Sequence, residues 1–177
     1  MKDRDLSRLL EDMVERILAE ASHEQSVRKL YVVFDEQWHH ENYALANQLT
    51  TCDFTQVHAI VPKNGDPEME CRVKEIHPFL MQYPYGEEPA FTEHDCIVLP
   101  YIGRNDVIHI ALGYSQSDLS EVVKKAFTAG ASIYVLPTSI EPLSGKEPGP
   151  YQQMVQGYYQ KIFELGIRYI DHIRHMN

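Results

Sequence analysis

The stretch Asp95-Cys-Ile-Val-Leu-Pro-Tyr-Ile-Gly-Arg-Asn-Asp-Val-Ile-His-Ile-Ala-Leu-Gly113 decides the fold of this chain. It predicts a buried strand over 96–99, a loop around Gly103, and a helix that starts at Asn105 or Asp106. In an open α/β sheet, ligands bind in the crevice beyond the carboxyl ends of the strands. We therefore place the candidate functional site in this strand–loop–helix segment.

Apolar, β-branched runs alternate with helical patterns along the rest of the chain. This alternation predicts an α/β fold with a doubly wound, mostly parallel, Rossmann-like sheet in three layers, with helices on both faces. The other predicted strands are 30–34, 57–61, 71–76 (as a short edge strand), 132–136 and 167–170. The predicted helices are 41–49, 106–112, 117–129 and 151–165, and the predicted loops are 78–89 and 137–150, the second with the character of a lid.

Composition limits the classes of function. The chain has 177 residues, 44% of them hydrophobic, which is enough for the core of one domain. A formal net charge of −10 argues against nucleic acid as the main partner, because phosphate binding needs a basic surface. No apolar run is long enough for a membrane span and no apolar signal-peptide core is present, so we expect a cytoplasmic protein.

The histidines and cysteines do not form a metal-binding pattern. His39 and His40 are adjacent, and His172 and His175 have no obvious third ligand nearby, so we expect no metal site. The three cysteines lie far apart without a Cys-x-x-Cys motif, and disulfides are not expected in a reducing compartment.

Two common site motifs are missing. The turn after the first predicted strand, Asp35-Glu-Gln-Trp-His-His40, contains no glycine and carries two carboxylates that would repel a phosphate. This disfavours a dinucleotide site or a P-loop, both of which need a bare backbone around phosphate. The chain also lacks a Gly-x-Ser-x-Gly nucleophile elbow, which disfavours a serine hydrolase.

From Asp95 onward the chain resembles the flavoprotein superfamily of flavin-containing cysteine decarboxylases and phosphopantothenoylcysteine decarboxylase-like proteins. Those proteins have an acidic residue before an apolar strand, then a proline, a loop of small residues, an asparagine that opens a helix, and a later glycine. The corresponding positions here are Asp95, 96–99, Pro100, Asn105 and Gly113. The similarity continues through the strand that ends at Pro137, the segment Pro148-Gly-Pro-Tyr-Gln-Gln-Met154, and the ending Leu165-Gly-Ile-Arg-Tyr-Ile170.

This resemblance implies FMN as the cofactor and a homo-oligomer made of a trimer or of several trimers. It implies cofactor-binding residues in the loops that follow the strands: Gln37, Trp38, Lys63, Gly103, Asn105, Thr138 and Ser139. Gly103 would let flavin approach the backbone, and Asn105 would lie beside flavin or substrate; the alternatives are an ordinary loop glycine and a plain N-cap. Trp38 would cover the flavin ring or fill a subunit interface, and Lys63 would replace a phosphate-binding hydroxyl as a point charge.

Departures from the family pattern narrow the expected activity. The decarboxylases carry a catalytic histidine where this chain has Glu87, and the small-residue loop lacks its serine. We therefore do not expect cysteine decarboxylation. The main hypothesis is an FMN-binding flavoprotein with an electron-transfer or reductase role, that is, a flavin-dependent oxidoreductase if it is an enzyme. The alternative is a scaffold or interaction protein that has this fold but no cofactor, which the missing phosphate ligands favour.

The N-terminal part is an extension of the family core. We divide the chain into residues 1–29, an amphipathic helix and linker, and residues 30–177, the flavoprotein-like α/β domain. Apolar residues recur at helical spacing over 5–20, opposite a charged face. This pattern resembles the peptides that load enzymes into bacterial microcompartments, and we hypothesise such an association. The alternative is a helix that packs on the same domain or on a second subunit.

Overall fold

The computed structural model describes residues 28–49, 54, 56–63, 68–76 and 80–176. Its centre is a six-stranded sheet in the order β3-β2-β1-β4-β5-β6, in which all strand pairs are parallel. The strands are β1 (Lys29–Val33), β2 (Gln56–Val61), β3 (Met81–Pro84), β4 (Cys96–Leu99), β5 (Ser132–Val135) and β6 (Arg168–Tyr169). The prediction of a doubly wound α/β sheet is confirmed.

Helices lie between the strands in the chain. They are α1 (Glu41–Leu49), α2 (Met69–Ile76), α3 (Arg104–Leu112), α4 (Asp118–Ala129) and α5 (Gly149–Glu164), followed by one turn of 3₁₀ helix (Ile173–His175). Gly113 and Gly130 end α3 and α4 with φ of 75°, a left-handed conformation that glycine adopts without steric cost. Within the described residues, no helix is both long and apolar enough to span a membrane.

The sheet has a hydrophobic core on each face. One core contains Tyr31, Val33, Ile97 and Leu99 and is closed by α3, α4 and α5. The other contains Leu30, Val32, Cys96 and Val98 and is closed by α1, α2 and the 3₁₀ turn. Because both faces are covered, β1 and β4 are apolar without a break, as is usual for parallel strands.

The segment before β3 differs from the prediction. Residues 71–76 belong to α2 and not to an edge strand, because Met69, Val73 and Ile76 recur at helical spacing and are buried together. The edge strand is β3, which lies inside the stretch predicted as a loop over 78–89. A terminal Pro84 is compatible with an edge strand, where one side of the backbone has no partner strand.

The start of α3 also differs by one or two residues from the prediction. Gly103 is its N-cap and Arg104 its first residue, so Asn105 lies inside the first turn and is not the cap. The remaining predicted helices and strands are found within a few residues of their expected bounds. The predicted helix over residues 5–20 lies outside the described residues.

Arg28 and Met176, the first and last residues that the structure describes, are joined by a hydrogen bond. The Arg28 guanidinium donates to the Sγ atom of Cys96 at 3.0 Å and to the backbone carbonyl of Met176 at 3.2 Å. It also lies over the ring of Phe54, 5.3 Å from the centroid. Arg28 therefore joins the amino edge of the sheet to the C-terminal segment.

A buried polar stack lies across β1 and β2. Tyr31 and His58 are register partners, and their rings stack with centroids 5.1 Å apart. Burial raises the pKa of Tyr31 to about 12 and lowers the pKa of His58 below its usual value. The Tyr31 hydroxyl and both ring nitrogens of His58 have no hydrogen-bond partner among the described residues. Burial therefore favours the neutral form of His58 in the folded chain.

Acid should destabilise the fold through His58. Its pKa is lower in the folded chain than the value of about 6.5 expected after unfolding, so the unfolded chain binds the proton more readily. The stabilisation is complete above about pH 6.5 and is lost as pH falls through the folded pKa. Urea midpoints between about pH 7.5 and 5 should fall less steeply for His58→Phe than for the wild type. The exposed His94 provides the control: His94→Gln should keep the wild-type slope, and a His58→Phe slope equal to it would refute the assignment.

Candidate functional site

The candidate site lies where the strand order reverses. β1 pairs with β2 on one side and with β4 on the other, so the chain leaves the sheet in opposite directions after β1 and β4. The loops that follow these two strands, 34–40 and 100–103, therefore border one crevice at the carboxyl edge. Such a switch point is where open α/β sheets bind ligands.

Aromatic rings from the two loops meet across the crevice. The rings of His39 and Tyr101 stack with centroids 3.5 Å apart and an interplanar angle of 10°. The Nε2 atom of His39 lies 2.6 Å from Oδ2 of Asp35, and both side chains are about four-fifths buried (20% and 24% exposed). Burial raises the pKa of the Tyr101 hydroxyl, and the carboxylates of Glu141 and Asp35 add to this effect. The crevice thus holds a histidine whose ring is fixed by a carboxylate and by a stacking partner.

Carboxylates give the crevice a negative potential. Burial raises the pKa of Asp106, the Ser117 hydroxyl that donates to it opposes this shift, and Asp35 adds to it. Burial also raises the pKa of Tyr85, with further contributions from Asp35 and Asp106. The Tyr85 hydroxyl donates to the backbone carbonyl of Phe34 at 2.7 Å, which fixes the start of the β1 loop.

The N-terminus of α3 is capped by a residue distant in sequence. Gly103 has no side chain to cap the helix, and the backbone N–H of Arg104 donates instead to Oε2 of Glu141 at 2.8 Å. The Arg104 guanidinium lies 3.3 Å from Oε1 of the same carboxylate. Glu141 is therefore an anion bound at a helix N-terminus, held by a backbone donor and by a cation.

Hydrogen bonds hold the loop between β5 and α5 against the N-terminus of α3. Ile102 and Ile140 form a parallel bridge, with the Ile102 N–H donating to the carbonyl of Ser139 at 2.7 Å. The Tyr159 hydroxyl on α5 donates to the carbonyl of Glu141 at 2.7 Å. In this structure the stretch predicted to resemble a lid is held to the β4–α3 loop.

Three of the sequence-predicted site residues lie at the switch point, two in its loops and one in the first turn of α3. Gly103 is half-buried at the N-terminus of α3, and a Cβ placed on it would lie 3.6 Å from Oδ2 of Asp106. Asn105 is exposed in the first turn of α3, and Gln37 is exposed in the β1 loop. Lys63 follows β2 and pairs with Glu87 at 3.3 Å, so it lies one strand further along the same edge.

The other predicted residues take different places. Trp38 stacks on Phe34, with centroids 5.8 Å apart, and packs against the core on the α1 and α2 side of the sheet. Ser139 is fully buried, and its Oγ accepts a hydrogen bond from the N–H of Leu136 at 2.8 Å, which stabilises the turn after β5. Thr138 is exposed in that turn.

Sequence reasoning did not assign a site role to four residues that the fold brings together. They are His39, Tyr101, Arg104 and Glu141. Their position in the sequence could have indicated a site role. His39, Tyr101 and Arg104 all follow β1 or β4, which are neighbouring strands at the switch point. Within the described residues, no group of three or more histidine, cysteine or acidic side chains is arranged to hold a metal ion.

No protein-family model matches this chain, and no curated protein matches it. Solved structures do share its fold. A dodecameric FMN-dependent UbiX-like decarboxylase from Escherichia coli O157:H7 has a TM-score of 0.54 at 12% identity, over 84% of this chain and 85% of that chain. AnUbiX (PadA1), in complex with FMN and dimethylallyl pyrophosphate, has a TM-score of 0.52 at 10% identity, over 80% of this chain and 76% of that one.

A third similar structure is not described as a decarboxylase. The apo form of DmrB from Burkholderia xenovorans, a cubic protein cage for redox transfer, has a TM-score of 0.50 at 9% identity, over 83% of this chain and 89% of that chain. Together these similarities confirm the fold that the sequence resemblance implies. The chain has the α/β fold of these three structures.

The Glu141 cap should contribute measurably to stability. Glu141→Gln removes the charge at the N-terminus of α3 and weakens the bond to Arg104, so we expect a loss of about 1 kcal/mol in the free energy of unfolding. Glu164→Gln is the control, because it removes an exposed ion pair, to Lys161 at 3.2 Å, from the C-terminal turn of α5 and so removes no N-terminal cap. Urea denaturation of both variants tests this, and an equal or larger loss in Glu164→Gln would contradict the capping role.

Proposed function

We propose that this protein binds FMN in the crevice between β1 and β4 and serves as a flavoprotein in electron transfer or substrate reduction. The observation that carries the proposal is the fold shared with FMN-dependent structures over more than three quarters of the chain. It is supported by the switch point, because the position of a ligand in such a sheet follows from the strand order.

The loops at the switch point suit a flat ring. His39 and Tyr101 lie face to face with centroids 3.5 Å apart, so a planar ligand would stack on an outer face of this pair. Gly103 leaves the backbone of the β4–α3 loop without a side chain, which permits close approach. FMN bound there would supply hydride or single-electron transfer, while the protein would orient it and exclude competing reactions.

The phosphate end of FMN has fewer obvious partners. The N-terminus of α3 already binds an anion, the carboxylate of Glu141, and Arg104 and Lys63 are cations at the same edge. Both cations hold carboxylates in this structure, so phosphate binding would exchange an internal anion for an external one. The donor set therefore fits a phosphate at the cost of one internal ion pair.

A scaffold or interaction protein without cofactor is the second candidate. It is favoured by the carboxylates of Asp35, Glu36 and Asp106, whose mutual repulsion contributes to the raised pKa of Asp106. Decarboxylation of a cysteine is not proposed, because the residue at the position of the family histidine is Glu87, an exposed partner of Lys63.

Spectroscopy of the purified protein separates the two candidates. We expect the wild-type protein to bind added FMN and to show an absorbance band at about 450 nm. We expect the Gly103→Ala variant to bind FMN about tenfold or more weakly. Alanine fits the backbone at this position, where φ is −70°, so the loss would report contact with the ligand and not misfolding. Gly149→Ala, with no heavy atom within 4 Å of an added Cβ, should bind normally. A wild-type protein that takes up no FMN would favour the scaffold.

We propose that the protein assembles as a trimer or as several trimers. One structural neighbour is a dodecamer and another is a cubic cage, which supports a homo-oligomer. In this chain α3 has apolar residues on its outer side as well as in the core: Leu112 and the following Tyr114 are 50% and 57% exposed. An exposed apolar surface of this kind, here at the C-terminal end of α3, is typical of a subunit contact.

We also propose that residues 1–20 load the protein into a bacterial microcompartment in the cytoplasm. The support is the sequence pattern, an amphipathic repeat separated by a polar linker from a domain that begins at β1. Deleting residues 1–22 should abolish co-sedimentation with shell proteins while the oligomer mass, measured by sedimentation equilibrium, stays at a multiple of three subunits. Unchanged co-sedimentation would refute loading, and dissociation of the oligomer would make the segment an assembly element.

A further inference from the structure

Two adjacent histidines have different environments. The ring of His39 lies between Asp35 and Tyr101 in the crevice. His40, the next residue, is exposed, and its ring makes a tilted contact with Tyr43 with centroids 6.2 Å apart. The fold therefore places one imidazole in the candidate site and leaves its neighbour at the surface.

The contacts of His39 fix where its proton can move. The Asp35 carboxylate can only accept, so at 2.6 Å it selects the neutral tautomer with hydrogen on Nε2. The Nδ1 atom then carries a lone pair, and it has no hydrogen-bond partner among the described residues. The stacked ring of Tyr101 prevents the imidazole from rotating freely.

Acidic groups surround His39 in the crevice. Asp35 is on the same loop, and Glu41 and Glu141 act on the hydroxyl of the stacked Tyr101 from α1 and from the loop after β5. Arg104 is the cation at the nearby end of α3.

We propose that His39 is the proton-transfer residue of the flavin site and that Asp35 is its positioning residue, an inference that rests on the proposed function. FMN bound and reduced at this site would supply a hydride, and its two electrons would be those that the substrate gains. His39 would hold on Nδ1 the proton that completes the addition to a polarised double bond, and it would then be reprotonated from solvent. The substrate class is thus a small molecule with a conjugated or carbonyl double bond.

Proton uptake on reduction tests this without knowledge of the substrate. Protein loaded with FMN is reduced photochemically in weak buffer with a pH indicator, and the midpoint potential is measured from about pH 5 to 9. The wild type should take up roughly one proton more per flavin than His39→Gln in part of this range, and its potential should change slope with pH where the variant does not. His40→Gln is the matched control and should behave as the wild type.

The Asp35→Asn variant tests whether Asp35 positions the ring and the proton of His39. The asparagine amide can donate to Nε2, which moves the histidine hydrogen to Nδ1 and removes the acceptor there. This variant should lose most of the extra proton uptake while it still binds FMN. Normal uptake in both His39→Gln and Asp35→Asn would overturn the assignment but leave FMN binding intact. Absence of FMN binding in the wild type would instead refute the proposed function, and this inference with it.

Discussion

The parallel pairing of β1 with both β2 and β4 is the constraint on which the rest of the structure depends. It requires the two central strands to be covered on both faces, which is why their residues are apolar in succession and why helices lie on either side of the sheet. It also sends the chain away from the sheet in opposite directions after β1 and β4. The crevice between those loops is thus a result of topology, and its chemistry is set by the few side chains that the loops carry.

Three of the carboxylates at this edge already have a basic partner. Asp35 accepts from His39, Glu87 pairs with Lys63, and Glu141 pairs with Arg104. An anionic ligand must therefore compete with bound carboxylates, and at the exposed Lys63–Glu87 pair the exchange gains little because such pairs contribute on the order of 1 kcal/mol or less. Selectivity in such a crevice depends on the shape and stacking of the ligand more than on its net charge.

The sheet can be predicted from the sequence because most of its strands and helices are marked by a pattern within their own residues. Uninterrupted apolar runs mark β1, β4 and β5, and helical spacing marks α4 and α5. The segment at 71–76 was predicted wrongly because its alternation of apolar and polar residues over a few positions is compatible with a strand. Only with Met69 does the helical spacing of the buried residues become visible. The site is harder to predict because its contacts join residues that are distant in sequence. Glu141 caps α3 from 37 residues beyond Arg104, and His39 and Tyr101 stack although they follow different strands. The positions of Gly103 and Asn105 at the start of α3 could be predicted to within two residues because they belong to one continuous strand–loop–helix segment, and their role in binding stays a prediction.

The hydrogen bond from Arg28 to the carbonyl of Met176 has a consequence for how the chain can be rearranged. It brings the two ends of the described domain within one side-chain length of each other at the amino edge of the sheet, opposite the crevice. A short linker between these ends would permit circular permutation with new termini in an exposed loop. A linker that joins Met176 to Arg28 would lie at the edge of the sheet remote from the candidate site, so it would not enter the crevice.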